Sequence, residues 1–204
     1  WFVSQHVWLD NMLIAAVAGS FAAMAWASGD RRTWPMALAG AAFGLALCSK
    51  LTAWALLPAL VALEIQRGPR PLRLRRAIAF GAPALALGGA WLLASALMNG
   101  QVVPRATASA AMLERYPFTA LVTARPWHYY LTAIPMLAPV TLFALPRLRE
   151  RLTRREDAAA WLWCGGFVLG MTLMGLGGLS YQTRYVATAM PALALMAGAA
   201  IERK

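Results

Sequence analysis

The chain has 204 residues, 60% of them hydrophobic and only 13% charged, with a formal net charge of +11 and a mean hydropathy of +0.56. A water-soluble domain is nearer half apolar and about a quarter charged, so composition excludes a soluble enzyme or binding module and points to an integral membrane protein. The arginines cluster in short stretches between apolar runs, without zinc spacing or an aromatic-basic platform, which sets nucleic-acid binding aside.

Seven apolar segments follow one another, at about 7–28, 35–48, 51–65, 78–98, 127–145, 158–179 and 185–201. None alternates apolar and polar residues in the manner of a barrel strand, so the runs predict helices. The expected fold is all-α: one polytopic transmembrane bundle over residues 1–204, with about seven membrane segments. The chain opens at Trp1 inside a polar-to-apolar transition and reads as a piece of a larger membrane domain. The first segment starts in WFVSQHVWLDN, which carries Asp10, and ends at the basic stretch GDRRTW.

From Pro35 to Ile65 the sequence is nearly all apolar, broken by Ser49, Lys50, Thr52 and Glu64. As a single helix these residues would rise about 46 Å, too long for one span of a roughly 30 Å core. One span would also put Arg31/Arg32 and the next basic cluster, QRGPRPLRLRRA, on opposite sides. Two short helices that turn at Cys48–Thr52 remove both conflicts. Each rises only about 21 Å, so the tip carrying Lys50 is expected in a recess below the outer surface, because bare backbone is not tolerated against lipid. A lysine there either snorkels to the headgroups or holds an anion.

After the segment 78–98 comes a long connection, 99–126, too long for a plain turn. Within it ATASAAMLERY reads as a short interfacial helix punctuated by Pro104, Pro117 and Pro126. It has two readings, a lid over the recess and an interfacial connector. Trp127, His128, Tyr129 and Tyr130 open the fifth segment, PRLRERLTRRED separates the fifth and sixth, and SYQTRY the sixth and seventh. GMTLMGLGG is glycine-rich but lies inside a span and lacks a Walker lysine, so it is no phosphate loop. Gly40-xxx-Gly44 and Gly166-xxx-Gly170 are small-xxx-small patterns that let helices approach. Cys48 and Cys164 read as buried free thiols.

Fourteen of the nineteen basic residues lie in GDRRTW, QRGPRPLRLRRA, PRLRERLTRRED and the tail ERK. These are expected on the cytoplasmic side, near anionic lipid. The opposite, outer face then collects Asp10, Lys50, Arg105, Arg125, Arg184 and Tyr185. Several cations with tyrosines suit a phosphate or pyrophosphate, the arginines as bidentate forks and the lysine as a point charge. The tyrosines and tryptophans there also read as an ordinary interfacial belt. Asp10 is a single carboxylate with three readings: ion-pair partner, helix cap or metal ligand.

GLALCSKLTAWALLPAL resembles the GLA-x-LTK…LP segment of the polyprenol-phosphate-sugar-dependent membrane glycosyltransferases. These have the GT-C fold and include lipid A aminoarabinose transferases and protein O-mannosyltransferases. TRYVATAMPALALMAGAA is similar to the family's RY-xx-P-xx-P span, and VWLDNMLIAAVAGSFAAMAWA to its helix that begins with an aspartate. The resemblance covers most of the chain. It implies a bacterial inner-membrane enzyme of the cell envelope, with its active site facing the periplasm. That enzyme moves a sugar from a polyprenyl-phosphate donor to a lipid, glycan or protein acceptor, with inversion.

By the same resemblance Lys50 and Arg184 are the candidates for the donor phosphate, with Tyr185, Arg125 and Arg105 around them, and Asp10 has a supporting catalytic role. The family's main catalytic acid lies in a first outer loop that this chain is expected to lack. CSKL has no glycine after the lysine, and VATAMP keeps only the proline Pro191. No cofactor is named by these motifs, and a divalent metal stays open. Two other classes compete: a transporter or flippase of lipid-linked intermediates, which calls for matched broken helices in two halves, and a non-catalytic membrane scaffold.

Overall fold

Among the described residues every regular element is helical. The structure, a computed structural model, describes residues 2–27, 32–68, 73–99, 129–137, 157–176 and 183–201. Among these residues there are seven α-helices: α1 Phe2–Ala27, α2 Trp34–Ser49, α3 Leu57–Arg67, α4 Arg73–Asn99, α5 Tyr129–Leu137, α6 Ala158–Leu176 and α7 Met190–Ile201. Two 3-10 segments, Leu51–Leu56 and Thr183–Ala189, lead into α3 and α7. Asp10–Ala27 and Leu74–Met98 are long and apolar enough to cross a bilayer, while Trp34–Ser49, Ala158–Leu173 and Val186–Gly198 are shorter apolar helices.

Local chemistry accounts for the breaks. Pro35 and Pro58 occupy the first turns of α2 and α3, where a missing N–H costs nothing. Lys50 is extended (φ −155°, ψ 132°) and stops α2. The amide of Ala53 then donates to the Lys50 carbonyl at 3.1 Å, an i→i+3 bond that starts the tighter 3-10 winding. Pro58 has no N–H to offer the Trp54 carbonyl, and that carbonyl takes the Leu57 amide instead. Pro191 stands in the same relation to the second 3-10 segment, two residues beyond its end.

Contacts along the helices fix their directions. α1 and α2 run antiparallel: Trp26 meets Trp34 edge to face, the Ser20 hydroxyl donates to the Ala39 carbonyl at 2.9 Å, and Asp10 reaches Lys50. The Lys50 break turns the chain back, because Glu64, in the last turn of α3, pairs with Arg76 beside the last residue of α1. α4 then runs parallel to α2, and α6 antiparallel to α3. One end of the bundle therefore carries Asp10 and Lys50, and the other carries Ala27, Arg32, Arg67 and Arg76. Arg32 and Arg67, one from each of the two basic stretches, thus sit at one end, as the turn at Cys48–Thr52 requires.

The core joins Leu13, Val17 and Phe21 of α1 to Phe43 of α2, Leu60 and Leu63 of α3, and Trp163 and Phe167 of α6. Phe21 stacks on Trp163 with ring centroids 4.8 Å apart, and Tyr130 of α5 packs edge to face on Phe167. The glycine pairs do what their spacing predicts. A Cβ added to Gly40 would strike the Phe80 backbone, and one on Gly44 would press on Leu87 and Ala84, so this pair seats α4 on α2. Gly166 and Gly170 seat α6 against Ala59 and Ala55. Gly170→Ala is expected to lower stability by about 1–3 kcal/mol through overpacking against the Ala55 carbonyl. Gly165→Ala, whose Cβ would meet nothing within 4 Å, serves as the control in the same thermal melt.

Two sequence expectations are corrected here. The fourth segment was expected from 78, yet the helix begins at Arg73 and draws Arg75 and Arg76 out of the supposed loop. Arg76 is fully buried, because Glu64 and the end of α1 supply three acceptors for its guanidinium. The stretch 51–65 is a 3-10 segment followed by an α-helix rather than a single α-helix. Of the fifth segment, Tyr129–Leu137 is described, and the connection expected over 99–126 lies outside the described residues apart from Asn99.

Candidate functional site

The site is built where α2 stops. Lys50 is the residue at which α2 gives way to the 3-10 segment, so its side chain sits at the break. The Ser49 hydroxyl donates back to the Leu45 carbonyl, one turn earlier in α2, at 3.0 Å. The Cys48 thiol donates to the Leu87 carbonyl at 3.5 Å, which ties the end of α2 to α4. Lys50 Nζ makes a salt bridge to Asp10 Oδ1 from α1. The two side chains are 16% and 23% exposed, so the pair is mostly withdrawn from solvent while one side stays open. Of the three readings of Asp10, the structure gives the ion pair. Among the described residues no group of three His, Cys, Asp or Glu side chains gathers to hold a metal ion.

Directly beyond the pair lies a small cavity lined by Leu13, Thr52, Leu56, Phe167, Met171 and Thr188. Leu13 is one turn from Asp10, and Thr52 is two residues from Lys50. Thr188 belongs to the second 3-10 segment, so the cavity is where the two 3-10 segments meet. That segment also contains Arg184 and Tyr185, for which the structure describes the backbone alone. The fold thus brings Asp10, Lys50 and the chain bearing Arg184 and Tyr185 to one end. Arg105 and Arg125 lie outside the described residues.

Sequence reasoning missed Thr52 and Thr188, and it missed a likeness that was legible. The entries to α3 and α7 read Leu57-Pro58-Ala59-Leu60 and Met190-Pro191-Ala192-Leu193. Each follows a 3-10 segment, and in each the residue three positions before the proline, Ala55 or Thr188, lines the cavity. The opposite end of the bundle holds a second ionic centre. Arg76 donates Nε to Glu64 Oε1 at 2.7 Å, Nη2 to Glu64 Oε2 at 3.0 Å, and Nη1 to the Ala27 carbonyl at 2.9 Å.

The pair at Lys50 holds a cation at a fixed place on a helix break, with a carboxylate beside it and a part-apolar cavity adjoining. Chemically this arrangement suits an anionic group at Lys50; the adjoining cavity, walled mostly by buried side chains, is no larger than a water molecule needs. Comparison with known proteins adds no relative: no family model, no curated protein and no solved structure matches the chain.

Proposed function

We propose that the chain is a multi-pass membrane protein of the bacterial inner membrane, GT-C-like in fold, with its Lys50 end facing the periplasm. In this reading it transfers a sugar from a polyprenyl-phosphate donor to a lipid, glycan or protein acceptor. The single observation that carries it is the helix break that sets Lys50 beside Asp10 next to the 3-10 segment containing Arg184. Lys50 and Arg184 hold the donor phosphate as negative charge develops on it, Tyr185, Arg105 and Arg125 belong to the same outer face, and Asp10 fixes the ammonium. An acceptor oxygen attacks the anomeric carbon, and the bond to the lipid phosphate breaks with its electrons going to that phosphate. The orientation rests on the basic end opposite Lys50.

The test is native mass spectrometry of the protein with polyprenyl phosphate. Wild type is expected to retain the lipid, and Lys50→Ala and Arg184→Ala each to lose most of it. Equal retention by all three would remove the site.

One observation favours a second reading, carriage of a lipid-linked intermediate. The two 3-10 entries with their Pro-Ala-Leu sequences converge on one cavity, and matched interruptions in two parts of a chain are a mark of transporters. Movement of labelled polyprenyl-phosphate sugar across vesicles without transfer to an acceptor would select it.

A further inference from the structure

At the Arg76 end we infer a second lipid site, specific for the headgroup of an anionic phospholipid and separate from the donor site. The inference takes from the proposed function only that this end meets a membrane. Among the described residues this end carries Arg32, Arg67, Arg75 and Arg76 together with Glu64 and Asp157. Glu64 is held on both carboxylate oxygens by Arg76, and the arginines of this end outnumber its two carboxylates, so its net charge is positive. The Arg76 bond to the Ala27 carbonyl fixes the α1–α2 end and the α3–α4 end side by side, bringing cations from two connections to one surface.

What covers this surface follows from the residues between the charges. Arg75 is exposed and flanked on α4 by Leu74 and Ile78, which are 75% and 60% exposed. On the α1–α2 side, Arg32 is exposed next to Trp26 and Trp34, an exposed edge-to-face pair with centroids 4.7 Å apart. A free phosphate or an acidic peptide would leave Leu74 and Ile78 in water. A phospholipid covers both kinds of surface: its phosphate meets the guanidinium groups, its acyl chains meet Leu74 and Ile78, and the indoles lie at the boundary.

The experiment titrates the purified protein, in native mass spectrometry, with phosphatidylglycerol and with phosphatidylcholine of the same acyl chains. Wild type is expected to prefer phosphatidylglycerol. Arg67→Gln/Arg75→Gln is expected to weaken that preference about thirty-fold, from two surface charges, while its retention of polyprenyl phosphate is unchanged. Lys50→Ala shows the reverse pattern, which separates failure of this site from failure of the donor site. Equal retention of the two phospholipids by wild type overturns the inference, as does a preference that survives in the double variant. If the double variant does not fold, the wild-type preference is measured against salt: a fall with ionic strength supports the site, and a salt-independent preference overturns it.

Discussion

Arg76→Ala is expected to destabilise the protein by about 3–5 kcal/mol, the cost of leaving one member of a buried pair without the other. The side chain of Arg76 is 0% exposed and that of Glu64 15%, so water does not repair the loss. Three bonds go at once: two to the carboxylate and one to the Ala27 carbonyl. The last matters because the closing carbonyls of a helix have no partner within it, and a cation at the negative end of the helix dipole is favourable there.

For a chain of this length the loss corresponds to a fall in midpoint of about 6–20 °C in a thermal melt. Arg76→Lys keeps the charge but not the fork, and a single ammonium cannot hold both carboxylate oxygens and the carbonyl in this geometry; an intermediate loss is expected. Glu64→Leu combined with Arg76→Met removes both charges together and is expected to cost less than the two single changes added. A melt of Arg76→Ala within about 2 °C of wild type would show that the pair is not a structural centre.

Much of this fold was legible because helices in apolar sequence are announced by their interruptions. Pro35, Lys50, Pro58 and the basic stretches mark the ends of α2 and α3, and charge parity alone demanded the turn at Lys50. The glycine spacings told which helix faces approach, though not which helix each would meet. What composition could not convey is partnership across the chain. Glu64 and Arg76 lie twelve residues apart on either side of a connection, and nothing in the local pattern separates Arg76, fully buried, from Arg75, exposed. The cue lies in the helix rather than the loop. Once α4 is extended back to Arg73, neighbouring arginines point about 100° apart, and only one of them can face the end of α1. Lys50 and Asp10 pose the same difficulty at a separation of forty residues. Each was legible as a candidate, and their meeting became visible only when α1 and α2 were laid antiparallel.

That meeting sets the largest effect expected on activity. Lys50→Met keeps the length and apolar stem of the side chain and removes the charge, so packing at the turn changes little. Under the proposed transfer reaction it is expected to lower kcat/KM for the polyprenyl-phosphate donor by about 10²–10³, the usual consequence of removing a group that meets charge developing in the transition state. Lys50→Arg returns a cation, but one shaped as a fork rather than a point, and is expected to recover part of the rate. Asp10→Asn acts through Lys50: the amide no longer anchors the ammonium by charge, and the cation is free to take other positions over the break. Because Asp10 is a positioning residue in this account, the loss is expected mainly in kcat, with KM for the donor changing less than threefold, and Lys50→Met should add little further when the two are combined, since residues that act as a unit do not add. Steady-state transfer assays on the two single variants and the double variant decide the matter. Transfer by Lys50→Met within about threefold of wild type would take the phosphate away from Lys50. Full additivity of the two changes would instead mean that Asp10 contributes at the site independently, and its pairing with Lys50 would then be a consequence of packing rather than the means by which the cation is aimed.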